Sequence, residues 1–238
     1  MAHHTIKHDL DASAEIWRYL SVEKFALLIS RSQLWFARAD QLGDEHEGSV
    51  PNSIIVERQQ RLNDGRVRAM IERGSKEGMK HAFIACWSMQ APDALSMWKI
   101  YTPNATGIAV KTTVGKLADC FLSKPDDLFE TLRPRIEKVN YINFISHDAT
   151  PDVFDPFTHK QEAYRYEKEI RAIVSFMPTV EEPPIGLELE VDLDLLIDSL
   201  YVSHRLGDGL ERFVQDLLLE RNIKKDVFHP PFVREPKY

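Results

Sequence analysis

Two glutamates and an arginine occupy alternate positions in one short stretch of this chain, as Glu167, Glu169 and Arg171. Side chains two residues apart share one face of a β-strand, so these groups point the same way if the extended backbone begins at or before Glu167. The apolar residues of 170–174 would then point into a core from the opposite face. Paired carboxylates can stabilise positive charge that develops in a reaction. The same pattern is also typical of a solvated strand face or of an ion pair.

The segments around this stretch alternate between strand and helix patterns without strict βαβ order. Residues 16–20 and 33–37 have strand patterns, and Ser21 is a candidate N-cap for the helix between them. Residues 82–89 form the most apolar strand, which we expect to be buried on both faces. We therefore predict an α+β fold, with a mixed or mainly antiparallel sheet flanked by helices. The expected organisation is a polar N-terminal tail, 1–14, and a single domain, 15–238.

Composition places the chain among ordinary globular proteins and excludes several classes. The 238 residues carry a formal net charge of -7, which argues against broad nonspecific binding of nucleic acid. No apolar run approaches the length of a membrane span, and residues 1–12 lack the apolar core of a signal peptide, so we expect a cytoplasmic protein without a membrane partner. Cys86 and Cys120 have no paired spacing, which predicts two reduced, buried thiols.

Several motifs occur in a characteristic order along the chain, at 17–19, 34–37, 42–48, 86–88, 97–101, 107–110, Lys160 and 166–171. Together they resemble the bacterial family known as domain of unknown function 2971, and the resemblance covers roughly residues 15–205. The loop departs from the family pattern, because this chain has Gly43-Asp44-Glu45-His46-Glu47 where the family usually has Asn-Asp-Pro-Phe-Glu. The family name carries no assigned activity.

A second resemblance does imply an activity. An arginine, then a strand serine, then Glu-x-Glu on a later strand is the order found in ADP-ribosyltransferases of the arginine-serine-glutamate class. By that resemblance Arg18 would hold a phosphate of NAD, Ser88 would brace the nicotinamide pocket, Glu169 would stabilise charge on the ribose and Glu167 would position the acceptor. Ser88 lacks the Ser-Thr-Ser context common in that class. The resemblance implies NAD as co-substrate and a protein or nucleic acid as acceptor, in a bacterial toxin or phage-defence role.

Aromatic side chains near these positions extend the hypothesis. Trp98 or Tyr101 could stack on a flat ring of the ligand. Aromatic residues at periodic positions more often pack in a core, a serine in a buried strand often bonds to backbone, and Glu-x-Glu is a short pattern with frequent chance matches.

Two other functions compete with the transferase. Metal-assisted hydrolysis could use the loop carboxylates with Glu167 and Glu169, but adjacent loop residues cannot all converge on one ion, and the histidines show no H-x-x-x-H spacing, so we predict no metal site. The other alternative is a non-catalytic interaction module, in which the tryptophans are core and the acidic loop contacts a partner.

Overall fold

The computed structural model describes residues 6–7, 9–44, 48–62, 64–102, 104, 106–122, 134–146, 156–175, 183–203 and 208–230. The strands are β1 (Glu15–Leu20), β2 (Gln33–Arg38), β3 (Ala82–Ser88), β4 (Ile108–Thr113), β5 (Arg135–Lys138), β6 (Asn140–Ile142), β7 (His159–Gln161), β8 (Glu169–Ser175), β9 (Gly186–Glu190), β10 (Ser199–Val202) and β11 (Asp226–Phe228). The α-helices are α1 (Val22–Arg31), α2 (Asn52–Arg61), α3 (Gly65–Met79), α4 (Leu95–Tyr101), α5 (Val114–Asp119), α6 (Leu193–Leu196) and α7 (Asp208–Glu220). Short 3₁₀ helices span Ala39–Gln41 and Glu162–Glu167.

Nine strands form one large sheet in the order β11-β10-β4-β1-β3-β2-β9, with β8 beside β3 and β5 beside β8. Among the described strands of this sheet, β10 and β11 pair in parallel and the other neighbours pair antiparallel. The short strands β6 and β7 form a separate parallel pair. This single-domain α+β architecture, with its mainly antiparallel sheet, confirms the predicted fold class.

One face of the sheet carries the main core. Alternate residues of β1, β3 and β8 point into it, including Ile16, Trp87 and Ile170. Helices α1, α5, α6 and α7 bury their apolar faces against this side. Helix α4 packs on the opposite face, where Met97 and Trp98 contact Trp17 and Tyr19 of β1. We call these two sides the α1 face and the α4 face.

Local signals in the sequence locate most of these elements. Ser21 caps α1 as predicted, since its side chain accepts a hydrogen bond from the backbone N–H of Lys24. Strand β3 is buried on both faces apart from the half-buried Cys86, as its continuous hydrophobicity indicated. Cys86 and Cys120 are both free cysteines, and Cys120 is buried as predicted, whereas the prediction that Cys86 is buried is wrong because its side chain borders an opening in the sheet. Within the described ranges, no helix is long and apolar enough to cross a membrane.

Candidate functional site

An opening in the large sheet separates β1 from β2. Strand β3 pairs with β1 at one position only, Trp17 with Ser88, and with β2 at Ala37 and Arg38. Between these contacts the described strands diverge, and a cavity of about 620 Å³ lies there. Leu28 and Leu34 line the cavity from the α1 face, and Met97 and Tyr101 line it from the α4 face. The cavity therefore passes through the sheet. Five of the six predicted site residues line it: Arg18, Ser88, Tyr101, Glu167 and Glu169.

The two glutamates reach the cavity from different backbone conformations. Glu167 ends the 3₁₀ helix, Lys168 follows in the left-handed region with φ 44°, and Glu169 begins β8. The expectation of extended backbone from Glu167 is therefore wrong, because the chain turns at Lys168 before the strand starts. Glu169 and Arg171 do share a strand face, and Ile170 points into the main core as predicted.

Both carboxylates are buried and share one ammonium group. Lys160 Nζ lies 2.6 Å from Glu167 Oε2 and 3.2 Å from Glu169 Oε2. Arg171 Nε donates to Glu169 Oε1 at 2.9 Å, and its Nη1 donates to the carbonyl of Phe157 at 2.7 Å. Two negative and two positive groups thus form a compensated buried cluster, which we call the carboxylate cluster: Lys160, Glu167, Glu169 and Arg171.

The charges within the carboxylate cluster hold it in its ionised form. Burial acts to raise the pKa of Glu169, but the charges of Arg171 and Lys160 outweigh burial and keep that pKa below its ordinary value. Burial acts to lower the pKa of Lys160, but Glu169 and Glu167 hold it above the ordinary value. Glu169 is therefore a carboxylate, and Lys160 an ammonium, at neutral pH.

Two tyrosines complete the wall beside the cluster. Burial raises the pKa of Tyr101, and the charges of Glu167 and Glu169 and a hydrogen bond with Glu167 raise it further. The Tyr101 phenol is therefore neutral, and it lines the cavity together with Glu167 and Glu169. Tyr141 accepts a hydrogen bond from the backbone N–H of Glu169 at 2.7 Å, which fixes the start of β8.

Ser88 lies next to the glutamates but is fully engaged with backbone. Its hydroxyl donates to the carbonyl of Glu167 at 2.5 Å and accepts from the N–H of Gln90 at 3.0 Å. The serine thus holds the segment that carries Glu167 in place, and it acts on the site through that carbonyl.

Arg18 reaches the cavity from the face opposite Glu169. Trp17 pairs with Ser88, and Ser88 pairs with Glu169, so these three residues share the α4 face while Arg18 extends from the α1 face. Its Nη2 donates to the carbonyl of Trp35 at 2.8 Å, which bridges the opening between β1 and β2. Burial lowers the pKa of Arg18 to about 10, so the guanidinium stays charged at neutral pH. The ion-pair partners of Glu169 are Arg171 and Lys160.

Trp98 is the one predicted site residue that does not line the cavity. It is 1% exposed, its Nε1 donates to the carbonyl of Pro92 at 2.8 Å, and its ring meets that of Tyr19 edge-on at 5.2 Å. It is a core residue, so Tyr101 alone of this pair can contact a ligand.

Asp44 is the acidic residue of the loop at 43–47 that the structure describes. Asp44 lines a second cavity of about 990 Å³, which meets the first at Leu42 and Gly43. Glu45, His46 and Glu47 lie outside the described residues. Among the residues that are described, no group of three or more His, Cys, Asp or Glu is placed to hold a metal ion.

The sequence patterns predicted Glu167, Glu169 and Arg18 as site residues. They did not predict that Lys160 and Arg171 form ion pairs with the two glutamates. Arg171 appeared only as a face-sharing neighbour, and Lys160 only as part of a family motif. The ion pairs form because β7 brings Lys160 beside the start of β8, and a strand of three residues has no periodicity that could predict this contact. Cys86 also lines the same cavity.

The chain matches no protein-family model, no curated protein and no solved structure, so the two resemblances remain predictions.

Proposed function

We propose that the protein is an ADP-ribosyltransferase-like enzyme that uses NAD to modify a protein or a nucleic acid. The observation that carries this proposal is the shared lining of one cavity by Arg18, Tyr101, Glu167 and Glu169. The cavity volume, about 620 Å³, falls within the range of small-molecule sites. Its lining includes aromatic rings, the guanidinium of Arg18 and the carboxylates of Glu167, Glu169 and Glu188, and such groups can contact the bases, phosphates and riboses of a dinucleotide.

The reaction would place positive charge beside the glutamates. The bond between ribose C1′ and the nicotinamide nitrogen breaks, and its electron pair leaves with neutral nicotinamide. A nucleophile of the acceptor then bonds to C1′ and loses its proton, which Glu167 would take. Glu169 would stabilise the positive charge on the ribose, and it needs little reorganisation because Arg171 and Lys160 already fix it.

The arrangement of the carboxylate cluster favours this role despite its balanced charge. Glu167 and Glu169 line the cavity, whereas Lys160 and Arg171 contact the glutamates without being part of the described lining. A ligand would therefore meet the negative groups first. Tyr101, which lines the cavity together with Glu167, is the ring we assign to stacking on the ligand base.

Arg18 would contact a different part of the ligand. Because it extends from the α1 face, it can bind a phosphate only if the ligand passes through the opening between β1 and β2. A dinucleotide has two halves joined by a diphosphate, so it is long enough to span both faces.

The direct test is transfer of label from NAD. Purified protein is incubated with NAD labelled in the adenylate phosphate and with a bacterial lysate, and digestion with protease or nuclease then identifies the acceptor. We expect macromolecular label that falls about 100-fold or more in Glu169→Gln, because removal of one stabilising group commonly has an effect of that size. Glu162→Gln is the matched control, since Glu162 pairs with Arg165 on the surface. Label transfer that survives Glu169→Gln would contradict the assigned role.

A non-catalytic interaction module is the second candidate. The observation that favours it is that Ser88 and Glu169 already have hydrogen-bond partners within the protein, as purely structural residues do. Absence of NAD cleavage by the folded wild-type protein, with every acceptor tried, would support this alternative.

A further inference from the structure

Three buried N–H donors in the cavity wall have no acceptor among the described residues. They are Trp17 Nε1, Arg18 Nη1 and Trp87 Nε1, and all three residues line the cavity. Buried donors in native proteins nearly always have a partner, and leaving one unpaired is costly. An acceptor from a bound molecule would satisfy them.

Two of these donors lie together on the α1 face. The guanidinium carbon of Arg18 is 5.8 Å from the centre of the Trp87 ring. Trp87 is only 2% exposed, and Arg18 is held by its other nitrogen, Nη2, through the carbonyl of Trp35. Both groups are therefore fixed in position before any ligand arrives.

The charges at this end of the cavity favour an anion. Lys24 of α1 also lines this end, whereas the lining glutamate of β9, Glu188, pairs with Trp35 in register, points to the opposite face and is paired with Arg31 at 2.7 Å. The opposite end presents Glu167 and Glu169. The cavity thus has an electropositive end that offers donors and an electronegative end that offers acceptors.

We propose that the indole N–H of Trp87 and Nη1 of Arg18 form a phosphate subsite. The subsite fixes the ligand with its diphosphate or terminal phosphate on the α1 face and its sugar at Glu167 and Glu169. The orientation rests on the proposed function, whereas the subsite itself requires only a phosphate-bearing ligand. Trp87 becomes a specificity-determining residue that distinguishes phosphorylated ligands from the corresponding nucleosides.

The test uses the indole N–H signals of the four tryptophans of the ¹⁵N-labelled full chain. The signals are assigned with single Trp→Phe variants, and the protein is titrated with inorganic pyrophosphate and, separately, with ADP-ribose and with adenosine. We expect the Trp87 signal to shift saturably with the first two probes and not with adenosine. The Trp98 signal should stay in place, because its N–H is bonded to Pro92. A Trp87 signal that is unmoved by both phosphorylated probes would overturn the subsite.

Trp87→Phe keeps an aromatic ring and removes only the N–H donor. We expect it to weaken pyrophosphate binding about tenfold, the usual effect of losing one hydrogen bond to a charged group. Trp98→Phe is the matched control and should bind as wild type does. Unchanged affinity in Trp87→Phe would also overturn the subsite, and the wild-type titration decides the matter if that variant does not fold.

These outcomes separate the subsite from the proposed reaction. If pyrophosphate moves Trp87 but NAD is never cleaved, the reaction fails and the subsite stands. If NAD is cleaved while Trp87 is unmoved by both probes, the reaction stands and the subsite fails.

Discussion

Glu169 is a buried carboxylate with hydrogen-bond partners for both side-chain oxygens and for its backbone N–H. Its oxygens accept from Arg171 and Lys160, and its backbone N–H donates to Tyr141. A buried ion pair is weak evidence for net stability, but removing one member leaves its partner charged and uncompensated. Glu169 therefore has a structural role whether or not it is catalytic, and experiments must measure both.

Glu169→Gln should lower the free energy of unfolding by about 3–5 kcal/mol, the usual effect of breaking a buried ion pair. Glu167→Gln should cost less, about 1–3 kcal/mol, because Lys160 keeps its contact with Glu169. Urea denaturation measures both values. The control Glu162→Gln should change stability by no more than about 0.5 kcal/mol, since its pair with Arg165 is exposed. A Glu169→Gln variant as stable as this control would contradict the described cluster.

The pH dependence of stability follows from the lowered pKa of Glu169. Its ordinary value is 4.5, so as the pH falls below that value the unfolded chain takes up the proton before the folded one does. The stabilisation is thus fully present above about pH 4.5 and is lost as the pH falls through the folded-state pKa. Urea midpoints measured from pH 7 to pH 3 should fall less steeply below pH 4.5 in Glu169→Gln. Parallel profiles for the two proteins would show that Glu169 is not the group responsible.

At the scale of elements, the turn at Lys168 determines where Glu167 and Glu169 lie relative to each other. The pattern of 170–174 predicted the strand and its buried face, because apolar alternation is a local signal. It could not predict the left-handed residue at Lys168, since φ 44° is imposed by the contacts on either side. The backbone N–H of Met89 donates to the carbonyl of Lys168, and Ser88 donates to that of Glu167. The prediction failed at the junction that places the two glutamates.

Substitutions at Lys168 test this junction. Lys168→Val should destabilise the protein by about 1–2 kcal/mol, because a β-branched residue is strongly disfavoured in the left-handed region. Lys168→Gly should stay within about 1 kcal/mol of wild type, because relief of that strain is offset by the greater freedom of glycine in the unfolded chain. Thermal denaturation distinguishes the two. Equal stabilities for the Val and Gly variants would mean that Lys168 does not adopt the left-handed conformation.

A second element-scale test concerns Gly186, at the start of β9. A Cβ there would lie 2.1 Å from Trp35 Cζ2 and 2.7 Å from the carbonyl oxygen of Phe36. Gly186→Ala should therefore destabilise by about 1–3 kcal/mol, and it should weaken ligand binding because Trp35 lines the cavity. The control Gly74→Ala, in α3 with nothing within 4 Å, should instead stabilise by about 0.5–1 kcal/mol. A neutral Gly186→Ala would show that β9 and β2 are less closely packed than described.

At the scale of the molecule, the fold was more predictable than the site. The interspersed strands and helices predicted α+β architecture, because hydrophobic periodicity and capping residues are local. The cavity depends on β1 and β2 diverging from β3, which is a property of register between segments far apart in sequence, as Trp17 and Ser88 are, and Ala37 and Ile84. No local pattern encodes that opening. The same holds for Arg18, whose position on the α1 face became evident only from the pairing of Trp17 with Ser88.

The most direct test of the central claim is the rate of nicotinamide release from NAD by the purified protein. The account predicts measurable release by wild type and by Glu162→Gln, and a rate at least about 100-fold lower for Glu169→Gln under conditions where it remains folded. Glu167→Gln should also be slower, because its carboxylate lines the same cavity and would take the acceptor proton. Release that is equal in wild type and Glu169→Gln, or no release above background by the folded wild type, would contradict the account.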